Sequence, residues 1–174
     1  MQHVFIVGAK GFTYGGYETF LDKLTEYHQN NENIKYHIAC KANGPGMTDE
    51  TKLAGIKKIS GSEYIYHNAH CFKIKSPELG SAQAIFYDIK ALQYCCKYIK
   101  KHNIEHPIVY VLSSRVGPVM GHFEKKSMQW VAYIVTTPTD VRISEKNMRL
   151  RLESIGVFLN MEWLSTVIWL FATV

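Results

Sequence analysis

A glycine-rich corner near the amino terminus constrains the fold of this chain more than any other stretch. An apolar run, Val4-Phe-Ile-Val7, leads into a loop that holds Gly8, Gly11, Gly15 and Gly16. An amphipathic segment with apolar side chains at helical spacing follows the loop: Phe20, Leu21, Leu24 and Tyr27. A strand, a glycine loop and a helix in this order open an α/β nucleotide-binding unit. The sequence therefore predicts an α/β protein with a Rossmann-like parallel sheet flanked by helices.

The glycine loop has the composition of an anion-binding turn. Glycine has no Cβ, so it accepts positive φ angles and lets a ligand approach the backbone. The N–H groups at the start of the following helix then face the ligand, and the helix dipole favours negative charge. The spacing G-x-x-G-x-x-x-G-G is neither the dinucleotide fingerprint nor the Walker pattern, so it names no particular anion. A plain turn whose glycines only allow tight packing explains the spacing equally well.

Composition fits one ordinary globular domain. The chain has 174 residues, of which 47% are apolar and 20% charged, enough for one sizeable core. The net charge of +5 comes from scattered lysine pairs, so we expect no nucleic-acid partner. A mildly basic face would suit anionic lipid or a phosphorylated ligand, although such charges are more often a solvated surface.

The cysteines and the amino terminus give expectations about metals and location. The four cysteines contain no C-x-x-C pair, so neither a zinc site nor a disulfide framework is expected. The pair His67 and His70 is spaced H-x-x-H on an extended segment, which would point the two imidazoles to opposite faces. The chain enters its first strand without a signal peptide, which predicts a cytoplasmic protein.

Strands and helices alternate through the next part of the chain. Strands are predicted at 36–40 and 108–112, a strand or hairpin at 63–74, and helices at 16–29 and 81–102. One stripe of the long helix is apolar and is therefore predicted to face the core: Ile85, Ile89, Leu92, Cys96 and Ile99.

Two loops are expected at the ligand-binding edge of the sheet. Ligands of open α/β sheets lie beyond the carboxyl ends of the strands, where both the glycine loop and residues 113–117 are placed. Arg115 would either bind a phosphate with two parallel hydrogen bonds or pair with a surface carboxylate. Glu18, in the first helical turn, is either a helix cap favoured by the dipole or a contact to a ligand hydroxyl.

Several short blocks together resemble one family, the N-terminal domain of bacterial rhamnosyltransferases that build capsular and extracellular polysaccharide. The resemblance covers roughly residues 1–126 and is carried by these blocks: Phe5-Ile-Val-Gly8 with Gly11, Tyr14-Gly-Gly-Tyr-Glu-Thr-Phe20, Tyr27-His-Gln-Asn-Asn31, Ile38-Ala-Cys-Lys41, Tyr66-His-Asn-Ala-His-Cys-Phe72, Ala82-Gln-Ala-Ile-Phe-Tyr-Asp88 and Ile108-Val-Tyr-Val-Leu112.

This resemblance implies a GT-B glycosyltransferase, in which the active site lies in a cleft between two Rossmann-like domains and neither a metal nor another cofactor takes part. The implied donor is dTDP-L-rhamnose, and the implied acceptor is a sugar on undecaprenyl diphosphate at the inner membrane face, with peripheral membrane contact. The glycine loop would lie against the donor diphosphate. Including Arg115, proposed from its position, the candidate substrate- and phosphate-binding residues are Gly11, Tyr14, Gly15, Gly16, Glu18 and Arg115.

The sequence assigns no catalytic residue, and two other functions are weighed against the transferase. A non-catalytic module that holds a sugar nucleotide or a lipid-linked sugar is the alternative. A nucleotide-dependent oxidoreductase is disfavoured, because no G-x-G-x-x-G occurs and Lys41 stands at the end of the second strand in place of an acid.

The tail, residues 127–174, does not follow the resemblance. A strand is predicted at 131–135, and the apolar end at 161–174 is shorter than the roughly 20 residues that a spanning helix needs. Residues 134–141 can be encoded so that an overlapping frame reads Arg-Asn-Asn-Pro-Asp-Gly-Cys, which contains the Asn-Pro-Asp-Gly of the relatives. We therefore expect a domain at 1–126, a divergent tail that is either out of frame and poorly packed or a genuine carboxyl terminus, and a transferase fragment that is inactive without its donor-binding domain.

Overall fold

The computed structural model describes residues 1–13, 15–112 and 123, and the backbone of 131–133. These residues form one seven-stranded sheet with two α-helices. The elements are β1 Gln2–Val7, α1 Gly16–Tyr27, β2 Ile34–Lys41, β3 Lys57–Lys58, β4 Glu63–Tyr66, β5 Ala69–Ile74, α2 Gln83–Lys101, β6 Ile108–Val111 and β7 Val131–Tyr133, with short 3-10 turns at Glu50–Lys52 and Gly80–Ala82.

The strand order confirms the predicted Rossmann-like fold. The sheet runs β3-β4-β5-β2-β1-β6-β7, in which β5, β2, β1, β6 and β7 are parallel. Counted along the chain, the parallel strands lie in the order third, second, first, fourth, fifth, which is the order of the dinucleotide-binding fold. That order reverses between β1 and β6. In such a sheet, ligands bind at the carboxyl ends beside this reversal.

The sequence located the elements well. The segment predicted as a strand or hairpin is a hairpin, because β4 and β5 pair antiparallel. The tail strand predicted at 131–135 is present as β7, which pairs parallel with β6. The rest of the tail, 127–130 and 134–174, including the apolar end, lies outside the described residues. Among the helices that are described, none is both long enough and apolar enough to cross a bilayer.

The two faces of the sheet are covered by different helices. Because side chains alternate along a strand, Phe5 and Val7 lie on one face and Ile6 on the other. The face under α2 forms this buried cluster: Phe5, Val7, Ala39, Phe72, Ile74, Tyr87, Ala91, Leu92, Cys95, Cys96, Ile99, Val109, Val111 and Phe123. The opposite face meets α1, where the Tyr66 hydroxyl donates to Asp22 at 3.0 Å.

One residue of the predicted core stripe is misplaced. Ile85 is 42% exposed, whereas Leu92, Cys96 and Ile99 are buried. The buried side of α2 also includes Ala91 and Cys95, so its centre is rotated away from the stripe chosen from the larger side chains. Small apolar residues contribute little to a hydrophobic pattern, so the predicted stripe was centred on the larger side chains. Ile85 lies at the edge of the buried side of α2.

Three histidines form a row across the α2 face of the sheet, of which His37 and His70 are buried and His3 is partly buried. His3 Nδ1 lies 2.9 Å from His37 Nε2, and His37 Nδ1 lies 3.2 Å from His70 Nδ1. The row ends at Glu63, whose Oε2 is 3.3 Å from His70 Nε2. His37 has no exposed surface, and burial lowers its pKa to about 2. We call these four side chains the histidine row.

The row is satisfied by one arrangement of protons when all three imidazoles are neutral. A neutral imidazole has one donor and one acceptor, whereas a carboxylate only accepts. His70 therefore donates through Nε2 to Glu63 and accepts through Nδ1 from His37. His37 in turn accepts through Nε2 from His3. The Tyr94 hydroxyl also donates to Glu63, and this bond is the main reason that the pKa of Glu63 is lowered.

The other histidine of the H-x-x-H pair is on the opposite side. His67 Nδ1 lies 3.0 Å from the Thr25 hydroxyl of α1, while His70 is buried under α2. The predicted separation of the two imidazoles is therefore confirmed. In the described part of the chain, no group of three His, Cys, Asp or Glu side chains is arranged to hold a metal ion.

Candidate ligand-binding site

The glycine loop lies at the reversal of the strand order. It leaves the carboxyl end of β1, with β2 on one side and β6 on the other. The Lys41 amide at the end of β2 donates to the Lys10 carbonyl in the loop at 2.9 Å, and the Leu112 amide after β6 donates to the Val7 carbonyl at 2.8 Å. The loop therefore occupies the edge at which doubly wound sheets bind their ligands.

Gly11 is required by the packing of the loop. Its φ of +111° is a conformation that residues with a Cβ rarely adopt, and a Cβ there would lie 2.2 Å from Thr48 Oγ1. The Thr48 hydroxyl holds the loop by donating to the Lys10 carbonyl at 3.1 Å and accepting from the Phe12 amide at 3.3 Å. Gly11 therefore faces Thr48, and its role in the described structure is to let the loop close.

Glu18 joins the loop to the start of α1. Its Oε1 accepts a hydrogen bond from the Lys10 amide at 3.1 Å, and the side chain is buried. A Cβ on Gly15 would lie 2.2 Å from Glu18 Oε2, so Gly15 provides the room that this carboxylate occupies. In the described structure Glu18 stabilises the loop, and any ligand contact it makes would come in addition to this bond.

Gly16 marks the open side of the corner. Among the described residues, a Cβ built on Gly16 would meet no atom of another part of the chain within 4 Å. Gly15 caps α1 without a side-chain hydrogen bond, and the first bond of the helix is from the Thr19 amide to the Gly15 carbonyl at 2.9 Å. Among the described residues no N-cap side chain bonds to this helix start, and the Glu18 carboxylate of its first turn lies on the side of Gly15. An anion can therefore approach the dipole end of α1 from the side of Gly16.

Two predicted site residues lie outside the described residues. Tyr14 belongs to the glycine loop, and Arg115 belongs to the segment 113–120 that follows Leu112. The structure thus brings together Gly11, Gly15, Gly16 and Glu18 at one corner.

A tyrosine of α2 contacts the main chain of the glycine loop and of β2. The Tyr87 hydroxyl lies 2.7 Å from the Ala9 carbonyl in the loop and 2.9 Å from the Ala39 carbonyl in β2. The side chain is buried, and burial raises its pKa well above the ordinary range. The hydroxyl of Tyr87 thus connects α2 to the ends of two strands, a role that the sequence analysis did not identify.

A second polar cluster, which the sequence analysis did not identify, lies at the carboxyl ends of β2 and β5. Lys41 Nζ donates to the Pro45 carbonyl at 2.9 Å and to Gln83 Oε1 at 3.1 Å, and the residue is only 8% exposed. Burial, and then the charge of Lys10, lower the pKa of Lys41. Ser76, after β5, joins the cluster through Asn43, which bonds to the Ser76 amide and carbonyl.

Two atoms of this cluster have no hydrogen-bond partner in the part of the chain that the structure describes. Gln83 Nε2 and Ser76 Oγ are buried without a hydrogen bond. The loop above them is closely fitted, because a Cβ on Gly44 would lie 2.9 Å from the Gln83 amide. We call Lys41, Gln83 and Ser76 the lysine cluster. A lysine directly after a predicted buried strand was the available sequence signal, but Ser76 and Gln83 carried none.

Comparison with known protein families gives a match. No curated protein matches the chain. The family model described as "Domain of unknown function (DUF1972)" matches residues 1–142. The match contains β1 to β7, the glycine loop and the lysine cluster. It ends later than the boundary near residue 126 expected from sequence blocks. Because the match spans most of the 174 residues, the chain belongs to the DUF1972 family.

Proposed function

We propose that this domain is the N-terminal, acceptor-side domain of a GT-B glycosyltransferase that transfers rhamnose from dTDP-L-rhamnose to a sugar on undecaprenyl diphosphate. The observation that carries the proposal is the glycine corner, which lies at the strand-order reversal with an uncapped helix start beside Gly16. The DUF1972 domain is associated with glycosyltransferase-like proteins, which supports the reaction class.

The role proposed for the glycine corner is electrostatic stabilisation of the leaving diphosphate. As the glycosidic bond of the donor breaks, negative charge develops on the leaving diphosphate while the sugar becomes oxocarbenium-like. Fixed dipoles and cations aimed at that charge lower the barrier without reorganising during the reaction. The start of α1 supplies the dipole. Glu18 holds the loop in place through the Lys10 amide.

The lipid part of the proposed acceptor would bring the carboxyl-terminal edge of the sheet to a membrane surface. Three apolar side chains around the start of α2 are exposed: Leu79, Ile85 and Phe86. Lys90, one turn further along α2, reaches back to the Lys75 carbonyl at 3.0 Å. Exposed apolar side chains beside lysines suit contact with an anionic bilayer, and they support a peripheral membrane location at the cytoplasmic face.

The test is a transfer and binding assay with the 174-residue chain. Radiolabelled dTDP-L-rhamnose is mixed with lipid-linked glucose, and both rhamnosyl lipid and bound donor are measured. Transfer would establish the enzyme, whereas saturable binding without transfer would favour the alternative, a sugar-nucleotide or lipid-linked-sugar binding module. Absence of transfer alone is expected of a fragment without its donor-binding domain, whereas a folded chain that binds neither the donor nor the lipid-linked glucose would refute the proposal.

A matched pair of variants tests the role of the corner. Gly16→Val places a side chain in the open space beside the helix start, and we expect it to weaken binding of dTDP-L-rhamnose by about tenfold or more. Gly61→Val is the control, because a Cβ at Gly61 also meets no atom within 4 Å but lies far from the corner in the chain. Equal affinity in the two variants would remove the corner from donor binding.

A further inference from the structure

The lysine cluster contains a buried cation without an anion. Lys41 Nζ has three hydrogens, and its two acceptors are a backbone carbonyl and a side-chain amide oxygen, both neutral. No ion pair involving Lys41 occurs within 4.0 Å among the described residues. A buried ammonium is costly unless a negative charge balances it.

The orientation of the Gln83 amide follows from this lysine. An ammonium can only donate, so the atom facing Lys41 must be the oxygen, and Nε2 must point elsewhere. Gln83 Nε2 is then a buried pair of N–H donors without an acceptor, and Ser76 Oγ is a buried hydroxyl in the same condition. Buried donors without partners are rare in native structures, and each calls for a specific explanation.

The surroundings add positive potential. Gln83 is the first residue of α2, which has no side-chain cap and no acidic residue in its first turn. The Lys10 side chain crosses the same loop, since a Cβ on Gly46 would lie 3.2 Å from Lys10 Nζ. Glu78 is a negative group that acts on Lys41, and its Oε1 already accepts from Asn43 at 3.0 Å. The dipole end of a helix and two lysines therefore converge here.

We propose that the lysine cluster is a second oxyanion subsite, separate from the glycine corner, which binds a phosphate group of a ligand through Lys41 and Gln83. A phosphate oxygen replaces the Pro45 carbonyl on Lys41, because a bond between two charged groups is roughly twice as strong as one to a neutral carbonyl. Pro45 and Gly46 are exposed, so this bond can open to solvent. Gln83 Nε2 then supplies a further donor.

The experiment uses inorganic pyrophosphate and inorganic phosphate as probes on the whole chain at constant ionic strength. Affinity is measured by titration calorimetry for wild type, Lys41→Met, Gln83→Leu and Gly16→Val. Lys35→Met is the control, because it removes the same charge from the opposite end of β2. We expect Lys41→Met to weaken pyrophosphate binding by about tenfold or more and Gln83→Leu by about threefold to tenfold, with Lys35→Met within about twofold.

A second measurement avoids dependence on the folding of the variants. The Gln83 side-chain amide is assigned as the NMR resonance that is absent from the spectrum of Gln83→Leu. In ¹⁵N-labelled wild-type protein, this resonance should shift as phosphate is added. An unshifted Gln83 amide at saturating phosphate, or Lys41→Met with wild-type affinity, would overturn the subsite. Loss of binding in Gly16→Val alone would refute the subsite while leaving the proposed function intact. Loss in Lys41→Met alone would establish the subsite and count against the corner.

Discussion

Acid should destabilise this domain through the histidine row, and His37 is the residue that tests it. Burial lowers the pKa of His37 to about 2 in the folded protein, against 6.5 when it is free. Between these values the unfolded chain binds a proton that the folded chain does not. The free energy of unfolding is therefore fully retained above pH 6.5 and falls as the pH decreases below it.

The size of the effect follows from linkage. For each proton that only the unfolded chain binds, the free energy of unfolding falls by about 1.4 kcal/mol per pH unit below 6.5. His37 alone therefore lowers it by about 3 kcal/mol between pH 6.5 and 4.5. Burial also lowers the pKa values of His3 and His70, which act in the same direction. Since small domains are stable by about 5–15 kcal/mol, this loss is large enough to measure easily.

The assay is denaturant unfolding followed by circular dichroism from pH 7.5 to 4.5. His37→Leu should make the slope of stability against pH shallower by about one proton, in addition to a constant loss of about 1–3 kcal/mol for each partner left without a bond. His106→Asn is the control, because it removes an exposed imidazole at a positive φ that asparagine tolerates. An unchanged slope in His37→Leu would refute the reasoning, as would a His37 ring that titrates near pH 6.5 by NMR.

Three further predictions concern the corner and the start of α2. Gly11→Ala should lower stability by about 2 kcal/mol or more, from positive φ and the contact with Thr48, as a thermal melt can show against Gly61→Ala. Tyr87→Phe should cost about 1–3 kcal/mol in denaturant unfolding, because two buried carbonyls lose their donor; a wild-type midpoint would contradict this. Phe86→Ser should leave stability within about 0.5 kcal/mol but reduce sedimentation with anionic vesicles, and unchanged sedimentation would remove Phe86 from membrane contact.

Local pattern was sufficient to predict the fold. Short apolar runs marked the parallel strands, and glycine marked the first turn, because both signals are contained within a few residues. Ile85 was misplaced because Ala91 and Cys95, which define the true centre of the buried side of α2, have little weight in a hydrophobic pattern.

The two polar groupings could not be predicted because they depend on register. His3, His37 and His70 meet only because β1, β2 and β5 align them on one face, and a slip of one residue would turn any of them to the other side. Lys41 meets Gln83 across 42 residues of chain. The sequence did place Glu18 at the start of a helix, but its bond to the Lys10 amide depends on how the glycine loop folds back.

The Tyr87 hydroxyl contacts two carbonyls, those of Ala9 in the glycine loop and Ala39 in β2. It therefore connects one turn of α2 to both the glycine loop and β2. Gln83 lies one turn earlier on that helix. A ligand that immobilises Gln83 would therefore also restrict the main chain of the glycine corner. The entropy lost in ordering this region would then be lost once for ligands at the lysine cluster and at the glycine corner together. Phosphate at either one would then raise affinity at the other by an equal factor, since such coupling is reciprocal.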